Sequence, residues 1–343
     1  MPKLALIYGG ASSEHSVSCS TAAGINRVID KSLYEVIPVG ITKSGKFVLE
    51  PIPDDISLAD WPEVSEDSPE LLFPIGGGEL RMAATGISLG KIDIAFPVVH
   101  GINGEDGSLQ GLLQLCKIPY VGNGVLSSAL AMDKAMAKKV FRDAGIAVAE
   151  DIVLSHKEWI ADPAAVLRDA AKLFGEAVFV KPSRSGSSVG VTKVSKADFK
   201  KDSSVLATAI KEAFQHDGMV LIEQQMVGRE IECSVLERTD GSLSVSLPGE
   251  IIVHGREFYD YEAKYLGGAA ELLVPCELSE SQYGKLTSLA KAAFRAIGCS
   301  GLARTDFFLT NRGLYLTEVN TMPGFTPISM YPSLWAATGV SYT

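Results

Sequence analysis

The first 41 residues of the chain follow the order strand, glycine turn, helix and strand. Residues 3–8 form a short apolar run that ends at Gly9-Gly10, and residues 34–41 form a second apolar run. The segment between them, residues 16–30, has the pattern of a helix. This order predicts the start of a parallel α/β sheet, and a further buried-type strand is predicted at 92–99. The turn GGASSEHS lacks the spacing G-x-G-x-x-G, and no acid ends the second strand, so the dinucleotide-binding fingerprint is excluded.

The remainder of the chain predicts two further units. A chain of 343 residues is long enough for two or three domains. Helices are predicted at 133–144 and 163–174, and strands at 177–180 and 189–194 are joined by a Gly/Ser loop. From residue 218 onward strands dominate and surround one helix at 279–297, which is typical of an α+β unit. The predicted strands are 219–223, 230–236, 243–247, 302–309 and 314–320. We therefore predict domains at 1–121, 122–218 and 219–343.

The net charge of −10 comes almost entirely from one segment. Residues 50–80 contain nine of the 41 acidic residues, no Lys or Arg, five Pro residues from Pro51 to Pro74 and the run Gly76-Gly77-Gly78. The other 32 acids nearly balance the 31 basic residues. This composition predicts a solvated surface excursion between two core strands of the first domain. A binding site for a partner is the alternative.

Composition also excludes several classes of protein. A sequence pI near 5.1 argues against a general binder of nucleic acid or of anionic membranes. The sequence has no run of eighteen apolar residues, and its N-terminus leads directly into a strand, so we expect neither a membrane span nor a signal peptide. The five Cys residues are scattered and never form a C-x-x-C pair. This pattern predicts a reducing compartment, without structural disulfides or a zinc site.

The loop 181-KPSRSGSSVG-190 is a candidate phosphate site. Lys181 ends a predicted strand, and the small residues that follow let backbone N–H groups approach an anion while the lysine supplies charge. Glycine and serine are also the residues that ordinary turns use, so a surface hairpin loop is the alternative.

A candidate metal site lies on the last two predicted strands. Alternation places Arg304 and Asp306 on one face of the first strand, and Glu318 and Asn320 on one face of the second. If residues 311–313 form a three-residue loop with a left-handed glycine, Asp306 pairs with Glu318 and Arg304 pairs with Asn320. Two facing carboxylates and an amide oxygen suit Mg²⁺. The alternative is an ion-paired ladder in which Arg304 neutralises one of the acids.

Other polar clusters lie in predicted loops. Gly324 follows the candidate metal strand and allows a backbone N–H to face a developing oxyanion. The stretch from His100 to Gly111 and the pair Glu14-His15 follow strands of the first sheet, where ligands of α/β proteins gather. The aromatic segment 258–265 suits a lid that excludes water. Residues 222–230 offer an edge for an adenine and a ribose, although composition alone does not decide this.

With these motifs in this order, the sequence resembles the D-alanine–D-alanine ligase family of the ATP-grasp superfamily. Matching landmarks run from Gly9 to about Pro332 and are GGxSSEHSVS, HGxxGEDGxxQG, MDK, KPSRxGSSVG, YDYEAKY, ARTDFF and EVNTMPGFTPISMYP. The resemblance implies an α/β (α+β) ATP-grasp fold: a parallel-sheet N-terminal domain that binds substrate, followed by two α+β domains that bind ATP between them. Relatives usually continue past the position of Thr343 into a terminal helix, whose absence we expect to affect stability more than chemistry.

The resemblance also implies the nucleotide and metal contacts. By the family pattern, Lys134 and Lys181 contact ATP phosphates, Glu223 contacts adenine and Glu230 contacts the ribose, and the nucleotide-binding set includes Ser187 and Lys264. Two Mg²⁺ ions, for which Mn²⁺ is a substitute, are expected on Asp306, Glu318 and Asn320.

The same pattern assigns residues to two D-alanine substrates. Glu14 would orient the ammonium group of the first D-alanine, with His100 nearby. Lys264, Ser329 and the backbone at Met330 would hold the carboxylate of the second. Arg304 and the N–H of Gly324 would stabilise the oxyanion. Ser187 and Tyr265 would join Glu14 in a hydrogen-bonded set that closes the site.

The implied activity is ATP-dependent ligation of two D-alanine molecules through a D-alanyl phosphate, for peptidoglycan precursors, by a cytoplasmic enzyme that is expected to be a homodimer. Two alternatives remain: a D-alanine–D-lactate ligase, which the lid YDYEAKY argues against, and a non-catalytic ATP-binding module of the same fold, which the intact lysines and acids argue against.

Overall fold

The computed structural model describes residues 1–52, 62–173, 175–253, 270–326 and 328–343. Within these ranges, three larger sheets and one small sheet pack against ten helices. None of the helices in the described ranges is long and apolar enough to cross a membrane. The predicted lid at 258–265, including Lys264 and Tyr265, lies outside the described residues.

The first sheet contains the parallel strands that the N-terminal sequence predicts. Its strand order is β3-β2-β1-β7, with β1 (Lys3–Gly9) parallel to both β2 (Glu35–Ile41) and β7 (Ile94–Pro97) and with β3 (Phe47–Leu49) antiparallel at one edge. Helix α1 (His15–Val28) packs against β1, and α2 (Ser108–Leu115) contributes Leu109 and Leu113 to the core under the sheet. The carboxyl ends of β1 and β7 therefore meet at one edge, which places Glu14 and His100 close together.

The acidic segment is more ordered than the predicted surface excursion. Part of it belongs to an antiparallel sheet made of β4 (Leu71–Leu72), β5 (Glu79–Met82) and β6 (Ser88–Lys91). Leu71 and Leu80 are buried in the first core, and the N–H of Val64 donates to His15 Nε2 over 3.0 Å. The expectation of a solvated surface excursion does not hold for Leu71 and Leu80, because these apolar side chains between the acids attach the segment to the core. Residues 53–61 lie outside the described residues.

The second sheet is fully antiparallel. Its order is β10-β9-β11-β8, and its strands are β8 (Asp151–Ser155), β9 (Ala177–Pro182), β10 (Thr192–Ser195) and β11 (Met219–Gln224). Four helices accompany it: α5 (His156–Ala161), α6 (Pro163–Leu173), α7 (Lys196–Lys201) and α8 (Ser204–Ala213). Leu206 and Ile210 of α8 pack with Val178 and Val180 of β9 in a closed apolar core. This packing fixes the strand that carries Lys181.

The third sheet contains the candidate metal residues. Its strand order is β15-β14-β12-β16-β17, and β13 pairs with β12. The strands are β12 (Arg229–Glu237), β13 (Leu243–Val245), β14 (Gly249–Val253), β15 (Ala270–Leu273), β16 (Leu302–Thr310) and β17 (Gly313–Asn320). Helix α9 (Glu280–Ala296) buries Leu286 and Phe294 against this sheet, and α10 (Met330–Ala337) follows the last strand.

One strand and one helix pack with a different unit from the one that the predicted domain limits gave them. The strand Met219–Gln224 pairs with β8 and β9 in the second sheet, although we placed it after the boundary at 218. Two helices, α3 (Val125–Met132) and α4 (Lys134–Asp143), come before that sheet in the chain. Phe141 of α4 and Val148 after it pack with Phe307 in the core of the third sheet. Sequence order alone does not reveal which sheet accepts a strand or which core accepts the apolar face of a helix. We therefore propose limits near 148 and 225 for the part of the chain that builds the second sheet.

Candidate active site

A cavity of about 570 Å³ is lined by residues of the second and third sheets and by residues that follow strands of the first sheet. Of the predicted site residues that the structure describes, all line this cavity except Asp306, which lies behind Arg304 with its side chain 6% exposed. Those that line it are Glu14, His100, Lys134, Lys181, Ser187, Glu223, Glu230, Arg304, Glu318, Asn320, Gly324, Ser329 and Met330. Residues that are far apart in the sequence thus share one solvent-accessible space.

The hairpin β16–β17 has the predicted register at the site but not the predicted turn. Asp306 pairs with Glu318 and Arg304 pairs with Asn320, as expected. The last ladder pair is Thr310 with Gly313, so the loop has two residues, and a β-bulge after Asp306 leaves Thr317 as the extra residue of β17. The observed loop is one residue shorter than the predicted loop, and the bulge makes the observed strand β17 one residue longer. These two differences cancel, so Asp306 still pairs with Glu318. The bulge also lets Leu314 and Leu316 face the core while Glu318 faces the cavity.

Arg304 is held between two buried carboxylates. Its Nε and Nη2 donate to the two carboxylate oxygens of Asp306 over 2.8 Å each, and its Nε lies 2.9 Å from Glu232 Oε2. Although burial opposes it, the attraction of Asp306 and Glu232 raises the pKa of Arg304 well above its usual value. The ion-paired ladder that we considered as an alternative is therefore present, and it coexists with a carboxylate, Glu318, that faces the cavity. Glu232 was missed, although alternation along β12 places it on the face of Glu230.

The donor set at this hairpin fits Mg²⁺. Asp306 and Glu318 provide carboxylate oxygens from paired positions, and Asn320 Nδ2 donates to Asp306 Oδ2 over 2.9 Å, which leaves the Asn320 carbonyl oxygen for another partner. Mg²⁺ takes oxygen ligands of this kind and is commonly bound by only one or two carboxylates. Within the described ranges there is no group of three or more His, Cys, Asp and Glu side chains arranged to hold a metal. The set here has two carboxylates and an amide, so the substrate phosphates would have to complete it.

Lys134 and the loop after β9 form the roof of the cavity. Asp133 caps helix α4 by accepting the Met136 N–H over 3.1 Å, which places Lys134 at the first turn. Lys134 Nζ donates to the backbone oxygen of Ser185 over 2.6 Å. In the loop, Ser187 and Ser188 have φ values of +46° and +60°. This left-handed stretch turns successive loop residues toward the cavity, as expected of a phosphate loop.

Glu223, near the end of β11, is in contact with two lysines. Lys181 Nζ lies 2.5 Å from Glu223 Oε1, and Lys138 Nζ contacts Glu223 Oε2. Burial alone would raise the pKa of Glu223, but the two lysines lower it to about 2. Burial lowers the pKa of Lys138 to about 8 although Glu223 opposes that shift. Lys138 was also missed; it follows Lys134 by one helical turn, a spacing that could have revealed it.

Glu14 lies at the junction of the first sheet and the phosphate loop. It directly precedes helix α1, is 7% exposed, and accepts a hydrogen bond from Ser187 Oγ. Two glycines pack closely on its carboxylate: an added Cβ would lie 2.7 Å from Glu14 Oε2 at Gly101 and 2.8 Å from it at Gly186. The position of the carboxylate is therefore set by tight packing as well as by a hydrogen bond.

Two further titratable groups line the cavity beside Glu14. His100 Nε2 lies 3.1 Å from Thr21 Oγ1, and burial lowers the pKa of His100. Glu105 accepts the Gly101 N–H over 2.7 Å, and burial together with Glu14 raises the pKa of Glu105 to about 8. Burial therefore favours the neutral form of both His100 and Glu105.

The turn after β17 brings three predicted residues to the opposite wall. The Thr326 N–H donates to Ser329 Oγ over 3.0 Å, and a Cβ at Gly324 would lie 2.9 Å from that same oxygen. Met330 is buried and begins α10. Ser329 is thus fixed close to the backbone of Gly324, so the predicted carboxylate site and the predicted oxyanion donor are neighbours.

Comparison with protein families gives two matches. The family model described as D-ala D-ala ligase N-terminus matches residues 3–123, and the one described as D-ala D-ala ligase C-terminus matches residues 140–343. Together these matches cover nearly the whole chain.

Curated proteins and solved structures point the same way. The D-alanine--D-alanine ligase of Paenarthrobacter aurescens is 46% identical over 99% of this chain and 92% of its own length. That of Mycolicibacterium vanbaalenii is 46% identical over 99% of this chain and 94% of its own length. The D-Ala:D-Ser ligase VanG from Enterococcus faecalis superposes with a TM-score of 0.83 at 34% identity, over 99% of this chain and 96% of the other. The D-alanine-D-alanine ligase from Coxiella burnetii gives 0.81 at 32% identity, over 99% and 91%.

Proposed function

The chain belongs to the D-alanine–D-alanine ligase family, and we propose that its central cavity is where ATP drives the joining of two D-alanine molecules. The protein is an ATP-dependent ligase that forms D-alanyl-D-alanine, the building block of peptidoglycan precursors. The residue roles that follow are our proposal. The observation that supports them best is the placement of Lys134, Lys181 and Arg304 on the walls of one cavity.

In the first step, the carboxylate of one D-alanine attacks the γ-phosphorus of ATP, and the bond to the leaving ADP oxygen breaks. Two anions must approach each other, so the cavity has to supply positive charge. Lys134 at the start of α4, Lys181 on β9 of the second sheet and Arg304 on β16 of the third sheet all line the cavity. Glu14 orients the ammonium group of this D-alanine, and the hydrogen bond from Ser187 holds the Glu14 carboxylate in place. Catalysis in this step is positioning and charge neutralisation.

In the second step, the amine of the other D-alanine attacks the acyl carbon of D-alanyl phosphate, and the carbon–oxygen bond to phosphate breaks. Negative charge develops on the carbonyl oxygen, and Arg304 and the N–H of Gly324 are the donors that we assign to it. Ser329 and the backbone at Met330 hold the carboxylate of the second D-alanine. Lys264 and Tyr265 complete this set by family resemblance.

The metal assignment follows the same reasoning. Asp306, Glu318 and Asn320 would hold two Mg²⁺ ions, or Mn²⁺ in their place, and bound metal would supply charge neutralisation at the phosphates. Both Asp306 oxygens accept hydrogen bonds from Arg304 in this structure, so a bound metal would have to share one of these oxygens with the guanidinium or take its place.

D-Alanine-dependent release of ADP tests the proposed function. With ATP and Mg²⁺, we expect D-alanine to produce ADP, phosphate and the dipeptide in equal amounts. Product analysis with D-lactate or D-serine beside D-alanine tests the acceptor, which the D-Ala:D-Ser ligase similarity makes worth including. ATP binding without turnover would contradict the proposed enzymatic activity and favour a non-catalytic module. Preferential formation of an ester would favour D-lactate as the acceptor.

A Gly186→Ala variant tests the position of Glu14. The added methyl would lie 2.8 Å from Glu14 Oε2, so the carboxylate has to move. We expect the KM for the first D-alanine to rise about 10-fold, as for loss of one charged hydrogen bond. Gly218→Ala is the matched control, since its added Cβ meets nothing within 4 Å. An unchanged KM in Gly186→Ala would contradict the role of Glu14.

Assembly and location complete the proposal. A homodimer is expected from the family resemblance, and sedimentation would test it. We place the enzyme in the cytoplasm, because ATP is its substrate and its five cysteines are all free.

A further inference from the structure

Lys138 is a buried lysine that none of the steps above uses. Its side chain is 3% exposed, and it lies on helix α4 behind the cavity wall formed by Lys181 and Glu223. It contacts Glu223 Oε2, and its Nζ lies 3.4 Å from Asp151 Oδ1, which Arg142 also contacts. Burial of an ammonium group is costly, so a lysine in this position needs these partners.

The two cations of Glu223 differ in their freedom to move. Lys181 lines the cavity, its side chain is 15% exposed, and its Nζ lies 2.5 Å from Glu223 Oε1. Lys138 is enclosed and is tied to a second acid, Asp151. When Lys181 turns to a phosphate, Glu223 Oε1 loses its partner, whereas the contact of Oε2 with Lys138 can persist.

From this asymmetry we propose that Lys138 is a positioning residue for nucleotide selection: it holds Glu223 charged and oriented after Lys181 has moved to the phosphates. The freed Oε1 then accepts a hydrogen bond from the exocyclic amino group of adenine. This inference rests on the proposed nucleotide site, and it assigns the base preference of that site to a residue that does not touch the nucleotide.

The chemistry predicts which base benefits. A carboxylate without a proton is an acceptor only, so it pairs with the amino group of adenine and repels the carbonyl oxygen that guanine has at the same ring position. Without Lys138, Glu223 would be less firmly charged and less firmly oriented when Lys181 leaves it. The preference for adenine over guanine should therefore fall, and the affinity for guanine nucleotides should change little.

Binding of ADP and GDP, measured by calorimetry, tests the proposal in the full-length protein. For Lys138→Met we expect the Kd for ADP to rise about 10-fold while the Kd for GDP stays within about 2-fold, in line with the loss of one charge-assisted contact. In turnover experiments, the KM for ATP should rise, and kcat measured at saturating ATP should stay unchanged. Lys139→Met, which removes the same charge from an exposed position of the same helix, should match the unmodified protein.

A double-mutant cycle separates positioning from a structural effect. Glu223→Gln should weaken ADP binding about 10-fold, and adding Lys138→Met should weaken it no further. The double variant removes the charges of both Lys138 and Glu223, and Asp151 keeps its contact with Arg142, so comparison with Glu223→Gln remains possible if Lys138→Met alone folds poorly. Additive losses near 100-fold, equal losses for ADP and GDP, or an unchanged Kd for ADP in Lys138→Met would each overturn the proposal. If the unmodified protein does not bind ADP, the nucleotide site itself is wrong.

Discussion

The Glu318→Gln variant should lose about 1,000-fold in kcat while keeping its fold, because one neutral oxygen replaces a charged metal ligand in the reaction site. Glu318 faces the cavity from the position opposite Asp306. The amide has the same shape as the carboxylate, so packing along the bulged strand should survive. We also expect the Mg²⁺ concentration for half-maximal rate to rise. Steady-state ADP release at several Mg²⁺ concentrations, together with the melting temperature, measures both effects.

Glu212→Gln is the control for this experiment. It makes the same chemical change on the exposed surface of α8, away from the cavity, and should leave kcat and melting temperature as they are. Near-normal turnover of Glu318→Gln would refute the metal assignment. A loss of turnover accompanied by a large fall in melting temperature would attribute the effect to folding instead.

The Arg304→Met variant should lose stability as well as activity. Removing the guanidinium leaves Glu232 and Asp306, which pair directly across the ladder and have side chains 3% and 6% exposed. Breaking one side of a buried ion pair costs about 3–5 kcal/mol, since the remaining charge is uncompensated. Loss of an oxyanion donor should also lower kcat by about 100-fold or more. Urea unfolding at neutral pH and single-turnover kinetics measure the two losses.

A second ion pair of the same sheet provides the matched comparison. Arg229 binds Glu250 with Nε and Nη2 at 2.9 and 2.7 Å, the same two-pronged geometry, but its side chain is 40% exposed. Arg229→Met should therefore cost less than about 1 kcal/mol and leave turnover unchanged. If Arg304→Met unfolds at the same urea concentration as the unmodified protein, Arg304 does not neutralise the two buried acids. Adding Glu232→Gln to Arg304→Met should recover part of the stability and none of the activity.

Most strands and helices could be predicted from periodicity, whereas their partners could not. The N-terminal order of strand, helix and strand predicted a parallel sheet, and β1 is parallel to β2 and β7. The strand Met219–Gln224 was found in the sequence but assigned to the wrong sheet. Strand assignment depends on which hydrogen-bond edge is available in space, and the sequence pattern of a buried strand is the same in either sheet.

The residues that share the cavity could be named from the sequence, whereas their contacts could be predicted only in part, and their roles stay predictions. Motif order and family resemblance identified the residues that line the cavity, including Glu14 and Lys181, which are 167 positions apart in the sequence. The ion pairs that connect them were missed, because Lys138 and Glu232 belong to no loop motif and become relevant only when strands and helices are assembled. Burial is what makes these two charges informative, and burial is a property of the assembled core.

The bulge at Thr317 has a consequence for how such a cavity changes during evolution. A regular strand presents every second residue to a given face, so a wall of metal ligands normally leaves no adjacent position free to vary. Here Thr317 and Glu318 are consecutive and both line the cavity. Mutation at Thr317 can alter the shape of the wall beside the ligands while the ligand set is inherited unchanged. One extra residue thus gives this chain a position where substrate preference can change separately from catalytic competence.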